Sequence, residues 1–111
     1  MIRRAIVAAA VASLALAAAA PAADAATARQ ATNRVASCLQ RHAHAVRIVR
    51  HDHGREGTAW WRGQRVYVSW AFVTSASGRV LGVNAISEHL TAKRRRAANG
   101  CLRPYHGRLP R

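Results

Sequence analysis

With 111 residues, 18 of them Lys or Arg and only 4 Asp or Glu, the chain has a formal net charge of +14. That length bounds it to one small domain with a thin core. The shortage of carboxylates argues against the paired-carboxylate chemistry of most glycosidases, while the positive balance favours anionic partners: nucleic acid, anionic lipid or acidic cell-wall polymer.

Arginine supplies 17 of the 18 basic residues and alanine is abundant. A GC-rich bacterial genome produces the same bias, so composition alone does not establish that the charge is used. The first 25 residues have the organisation of a signal peptide. Met1-Ile2-Arg3-Arg4 is a basic n-region, Ala5–Ala20 an uncharged apolar run, and Ala23-Asp24-Ala25 an A-x-A-like cleavage site. The run is short and Ala-rich, so a retained membrane span is disfavoured, and no cysteine lies near the cleavage region to take a lipid anchor. The expectation is a secreted protein, extracellular or periplasmic, cleaved near Ala25 and without a stable membrane anchor. Residues 26–111 then carry sixteen Lys and Arg against Asp52, Glu56 and Glu88.

Ala26–His44 has helical periodicity. Ala28, Ala31, Val35, Cys38, Leu39 and His42 share one side, opposite Arg29, Gln30, Asn33, Ser37 and Gln40. Thr27 or Thr32 is the N-cap. Cys38 on the apolar side and Cys101 near the other end of the chain are expected to pair in an oxidising compartment. Val46–Arg50 is a short strand candidate, followed by the loop-like HDHGREG. Thr58–Arg62 (TAWWR) is a further strand, turned by Arg62-Gly63; the alternative is one long loop over 51–63.

The chain is organised around residues 64–86. Val66, Val68, Trp70 and Phe72 alternate with Arg65, Tyr67, Ser69 and Ala71, the period of a half-buried strand. Ser75-Ala76-Ser77-Gly78 is a turn cluster. A four-residue loop there pairs Phe72 with Leu81, Trp70 with Val83 and Val68 with Ala85, and leaves Tyr67, Val73, Val80 and Ile86 on the opposite face as a candidate association surface. A second helix, capped by Thr91, covers Ala92 to about Asn99, with Leu90, Ala97 and Cys101 on one face. Arg95 and Arg96 face water and Arg94 lies beside the buried stripe. Arg103–Arg111 reads as an irregular C-terminal tail. The fold class is therefore α+β: a three- to four-stranded antiparallel sheet with an N-terminal and a C-terminal helix on one face, linked by a disulfide, in a single domain over 26–102.

Chemistry-bearing residues are few. His42-Ala43-His44 and His51-Asp52-His53 bring four histidines into twelve residues. A joint site is geometrically disfavoured, because an extended strand separates His44 from His51 by roughly 20 Å, which leaves His51 and His53 as weak metal-ligand candidates. G-x-S-x-G, P-loop and H-E-x-x-H motifs are absent from the sequence. Glu88, His89 and nearby arginines have the groups for acid–base cleavage of RNA, yet adjacent residues point apart on a strand or helix. No catalytic residue and no cofactor are assigned. The better lead is arginine among flat rings: Trp60, Trp61, Arg62, Arg65 and Tyr67, with Arg95 and Arg96, the composition that stacks bases or sugars while holding phosphate. One of Trp60 and Trp61 must be core, since strand neighbours face opposite ways. The expected function is a small, basic, non-enzymatic binding module for an anionic polymer (cell wall or nucleic acid) or for another protein through the sheet face. A ribonuclease-like hydrolase and an exported metal-binding protein are the alternatives.

Overall fold

Thr27 starts the first helix. Its hydroxyl accepts from the Gln30 N–H while the Gln30 side chain accepts from the Thr27 N–H, a capping box that satisfies both ends of the turn. The computed structural model describes residues 26–62 and 65–111. The expected signal peptide and Gly63 of the expected turn lie outside the described residues. In order, the chain forms helix α1 (Ala28–His42), strand β1 (Arg47–His51), a 3-10 turn (Asp52–Gly54), β2 (Glu56–Trp61), β3 (Val66–Thr74), β4 (Val80–Glu88), helix α2 (Ala92–Leu102) and a second 3-10 turn (Arg103–Tyr105). The strands form one antiparallel meander in the order β1-β2-β3-β4. This is the α+β architecture expected, and residues 56–61 are strand rather than loop.

The apolar face of the sheet is the one predicted for β3: Val66, Val68, Trp70 and Phe72 are all buried, alongside Ala59 and Trp61 of β2. Gly57 stands opposite Trp70, and a Cβ there would collide with the indole ring, so a residue without a side chain makes room for it. α1 lies across this face. Its buried residues are Ala31, Thr32, Val35, Ala36 and Leu39, a stripe rotated from the expected one: His42 is exposed, and Ala28 and Cys38 only partly buried. The rotation has a physical basis. Thr32 is fully buried because its hydroxyl accepts from Trp70 Nε1 at 3.2 Å, which removes the cost of burying either group. Across the sheet edge, Arg50 Nε donates to Asn33 Oδ1 at 2.9 Å and ties β1 to α1.

The hairpin is present, but its register differs from expectation by two. Val68 pairs with Ser87, Trp70 with Ala85 and Phe72 with Val83. Two local features each add one residue. The loop closes on Ser75 and Arg79, leaving Ala76-Ser77-Gly78 as a three-residue loop with Gly78 at φ 84°. A bulge between Val73 and Thr74 then shifts the ladder once more. The shorter loop exchanges faces at the start of β4: Val80, expected on the open face, stands opposite Thr74 and is 5 % exposed, while Leu81, expected inward, is 58 % exposed; beyond the bulge the expected alternation returns.

Cys38 and Cys101, 63 positions apart in sequence, form a disulfide with Cα atoms 5.7 Å apart, joining α1 to α2. α2 runs past Gly100 to Leu102 and buries Ala98, Cys101 and Leu102. Residues 103–111, expected as a tail outside the 26–102 domain, fold back instead. Tyr105 packs edge-on against Phe72 at 5.2 Å, and Leu109 is 2 % exposed with its N–H donating to Asn99 Oδ1 at 2.7 Å. The tail is irregular after residue 105, yet it completes the core over β3 and β4.

Candidate functional site

The ladder places four side chains in one row on the face of the sheet turned away from the helices: Arg47 of β1, Trp60 of β2, Tyr67 of β3 and Glu88 of β4. The Arg47 guanidinium lies 5.8 Å from the Trp60 ring, and Trp60 meets Tyr67 with ring centroids 4.9 Å apart at 46°. Both rings are half-buried, so each keeps surface for a ligand. Burial, followed by the charge of Glu88 and a hydrogen bond to it, raises the Tyr67 phenol above its ordinary pKa. Arg62 and Arg65 are exposed at the same end of the sheet, where β2 leads towards β3.

The rest of this face is mixed. In the next row Thr58 and Ser69 share a hydrogen bond at 3.1 Å, and Thr58 is 8 % exposed. Val73, Leu81 and Ile86 are exposed apolar residues towards and along β4.

Of the sequence-predicted binding residues, the structure brings Trp60 and Tyr67 together on this face, leaves Arg62 and Arg65 exposed just beyond the ends of β2 and β3, and separates the other three. Trp61 belongs to the core: it is 3 % exposed, its Nε1 donates to the Ala43 carbonyl at 2.7 Å, and the Arg94 guanidinium covers its ring at 5.5 Å. Arg94 thus lies over buried apolar surface as expected of a snorkelling side chain. Arg95 and Arg96 lie on α2, on the helix side of the sheet. Arg95, expected to face water, is half-buried, and only Arg96 is exposed. Arg47 and Glu88 were missed as members of the row. Thirteen and 21 positions from their aromatic neighbours, they become visible only once the register is known.

The histidines do not converge on a metal. His51 and His53 are exposed, and Asp52 and His53 take left-handed backbone (φ 51° and 56°), so the strand geometry that would align an H-x-H pair ends there. Asp52 instead binds Arg55 at 2.7 Å. Among the described residues no group of three His, Cys, Asp or Glu is disposed to hold a metal ion. His42, His44 and His89, with Lys93 and Arg94, line a cavity of about 410 Å³ between the end of α1 and the start of α2. Glu88 is engaged with Tyr67 on the sheet face. Among the described residues no helix is long and apolar enough to cross a membrane. Comparison of the chain with protein-family models, with curated proteins and with solved structures found no match.

Proposed function

We propose that the protein is a small secreted cationic binding module, acting without catalysis, whose partner is an anionic polymer held against the Arg47–Trp60–Tyr67 end of the open sheet face. One observation carries this reading: two half-exposed aromatic rings in contact, with a guanidinium over one of them and two exposed arginines beside them. Flat rings stack on bases or sugars without regard to sequence, and the arginines supply charge for phosphate or carboxylate groups. The disulfide suits the oxidising compartment that export implies.

The test is tryptophan fluorescence of the oxidised protein titrated with single-stranded RNA and with anionic cell-wall polymer across a salt series. The expected result is saturable quenching whose affinity falls linearly with log salt, with a slope of roughly −0.7 per phosphate contact for single strands. Trp60→Ala should weaken binding by about 1–3 kcal/mol if a base stacks on that ring. Absence of binding at low salt, or equal affinity in Trp60→Ala and Tyr67→Ala, overturns the reading. Cleavage of the RNA in the same tubes would replace it with the hydrolase.

A further inference from the structure

On the other side of the molecule, α2 and the folded-back tail concentrate positive charge. Residues 89–111 contain seven Lys and Arg and no acid. The three carboxylate side chains of residues 26–111 are all elsewhere: Asp52 binds Arg55, Glu56 lies in β2, and Glu88 is engaged with Tyr67. Two cavities of about 390 Å³ each adjoin between α2 and the tail, and both are lined by Arg96, Asn99 and Arg108. Arg103 lies at one of them, Arg95 and Arg111 at the other.

The charged side chains lining this groove are all donors. Each guanidinium has only N–H groups to offer. The Asn99 carbonyl oxygen is taken by the Leu109 N–H, which leaves its NH₂ group for further bonds. Most telling, Arg95 Nε is shielded from solvent without a hydrogen-bond partner among the described residues. A buried donor left unpaired costs about 1–3 kcal/mol, more when charged, and calls for an acceptor that the described residues do not provide. Several guanidinium forks around one groove match a tetrahedral oxyanion, whose oxygens accept paired N–H bonds from more than one arginine. Arg96 and Arg103 are seven positions apart along α2 and its end, about 10 Å of rise, room for more than one phosphate.

We propose that the groove between α2 and residues 107–111 is a phosphate-binding site, with Arg95, Arg96 and Arg108 as its contacts and linear oligophosphates or phosphate esters as its ligand class. It lies on the helix side of the sheet, away from the Trp60–Tyr67 pair, and stands or falls separately from that face.

The experiment is thermal unfolding and calorimetric titration of the oxidised protein with inorganic phosphate and with tripolyphosphate, against chloride at equal ionic strength. Vesicles of phosphatidylglycerol and of phosphatidylcholine form a parallel arm. The expected result is saturable binding of tripolyphosphate with a rise in melting temperature, weakened about tenfold by each of Arg96→Gln and Arg108→Gln. Both side chains are exposed, so these variants should fold even if Arg95→Gln does not. Trp60→Ala should leave this response unchanged. Binding confined to phosphatidylglycerol vesicles and lost in Arg96→Gln/Arg108→Gln would assign the site to a lipid headgroup phosphate. A response no greater than that to chloride in every arm, or one undiminished in the double variant, overturns the proposal.

Discussion

At the scale of single residues, two polar side chains illustrate how burial and partnership act together. Thr32 and Trp70 are 38 positions apart and meet in the core through one hydrogen bond. Thr32→Val keeps shape but leaves the Trp70 Nε1–H buried without an acceptor, and should lower the unfolding free energy by about 1–3 kcal/mol, read as a shifted urea midpoint at constant slope. On the open face, Tyr67 has its phenol pKa raised from 10.0 by burial and then by Glu88. The folded state therefore holds this proton to higher pH than the unfolded chain does. The contribution to stability is intact below pH 10 and disappears as pH climbs through the folded value. Urea midpoints between pH 8 and pH 11 should fall more steeply in the wild type than in Tyr67→Phe.

At the scale of elements, the alternation in Val66–Phe72 was legible from sequence and the pairing was not. Which side of β3 faces the core depends only on the period of the strand, and all four apolar residues are where that period puts them. Which residue of β4 stands opposite depends on loop closure and on a bulge, both decided by backbone geometry that residue types bias only weakly. Gly78 is the exception, since its φ of 84° is the region glycine enters without cost. A Cβ there meets no atom within 4 Å, so Gly78→Ala measures backbone strain alone. It should cost about 1 kcal/mol, checked by thermal unfolding. The same reasoning covers α1: the helix and its Thr27 cap follow from local spacing, while its buried side is set by where Trp70 and α2 lie.

At the scale of the whole molecule, stability rests on joining the two ends of the chain. Cys38 and Cys101 close a loop of about 62 residues, which removes roughly 4 kcal/mol of unfolded-state entropy in the chain-entropy model. Set against net stabilities of about 5–15 kcal/mol for small domains, that share is large. Cys38→Ser/Cys101→Ser should therefore melt well below the wild type, and the wild type under reducing conditions should match it. Tyr105 and Leu109 act in the same direction, clasping the end of the chain over β3 and β4. The placing of the charge, too, is visible only at this scale. Arg47 lies against an aromatic ring on the open sheet face, and Arg95, Arg96 and Arg108 line a groove on the helix side, two surfaces with different chemistry.

What the sequence by itself determined is whatever depends on neighbours within about one turn or one strand: two helices, the strand alternation, the buried face of β3, and the one possible disulfide. Periodicity carries that information because the 3.6- and 2-residue repeats are properties of the backbone. Only the tertiary structure decided the row Arg47–Trp60–Tyr67–Glu88, the choice of Trp61 over Trp60 for the core, and the return of residues 103–111. Each brings together residues far apart in sequence. Their meeting is fixed by register, bulge and chain closure, and local composition has no means of encoding those distances.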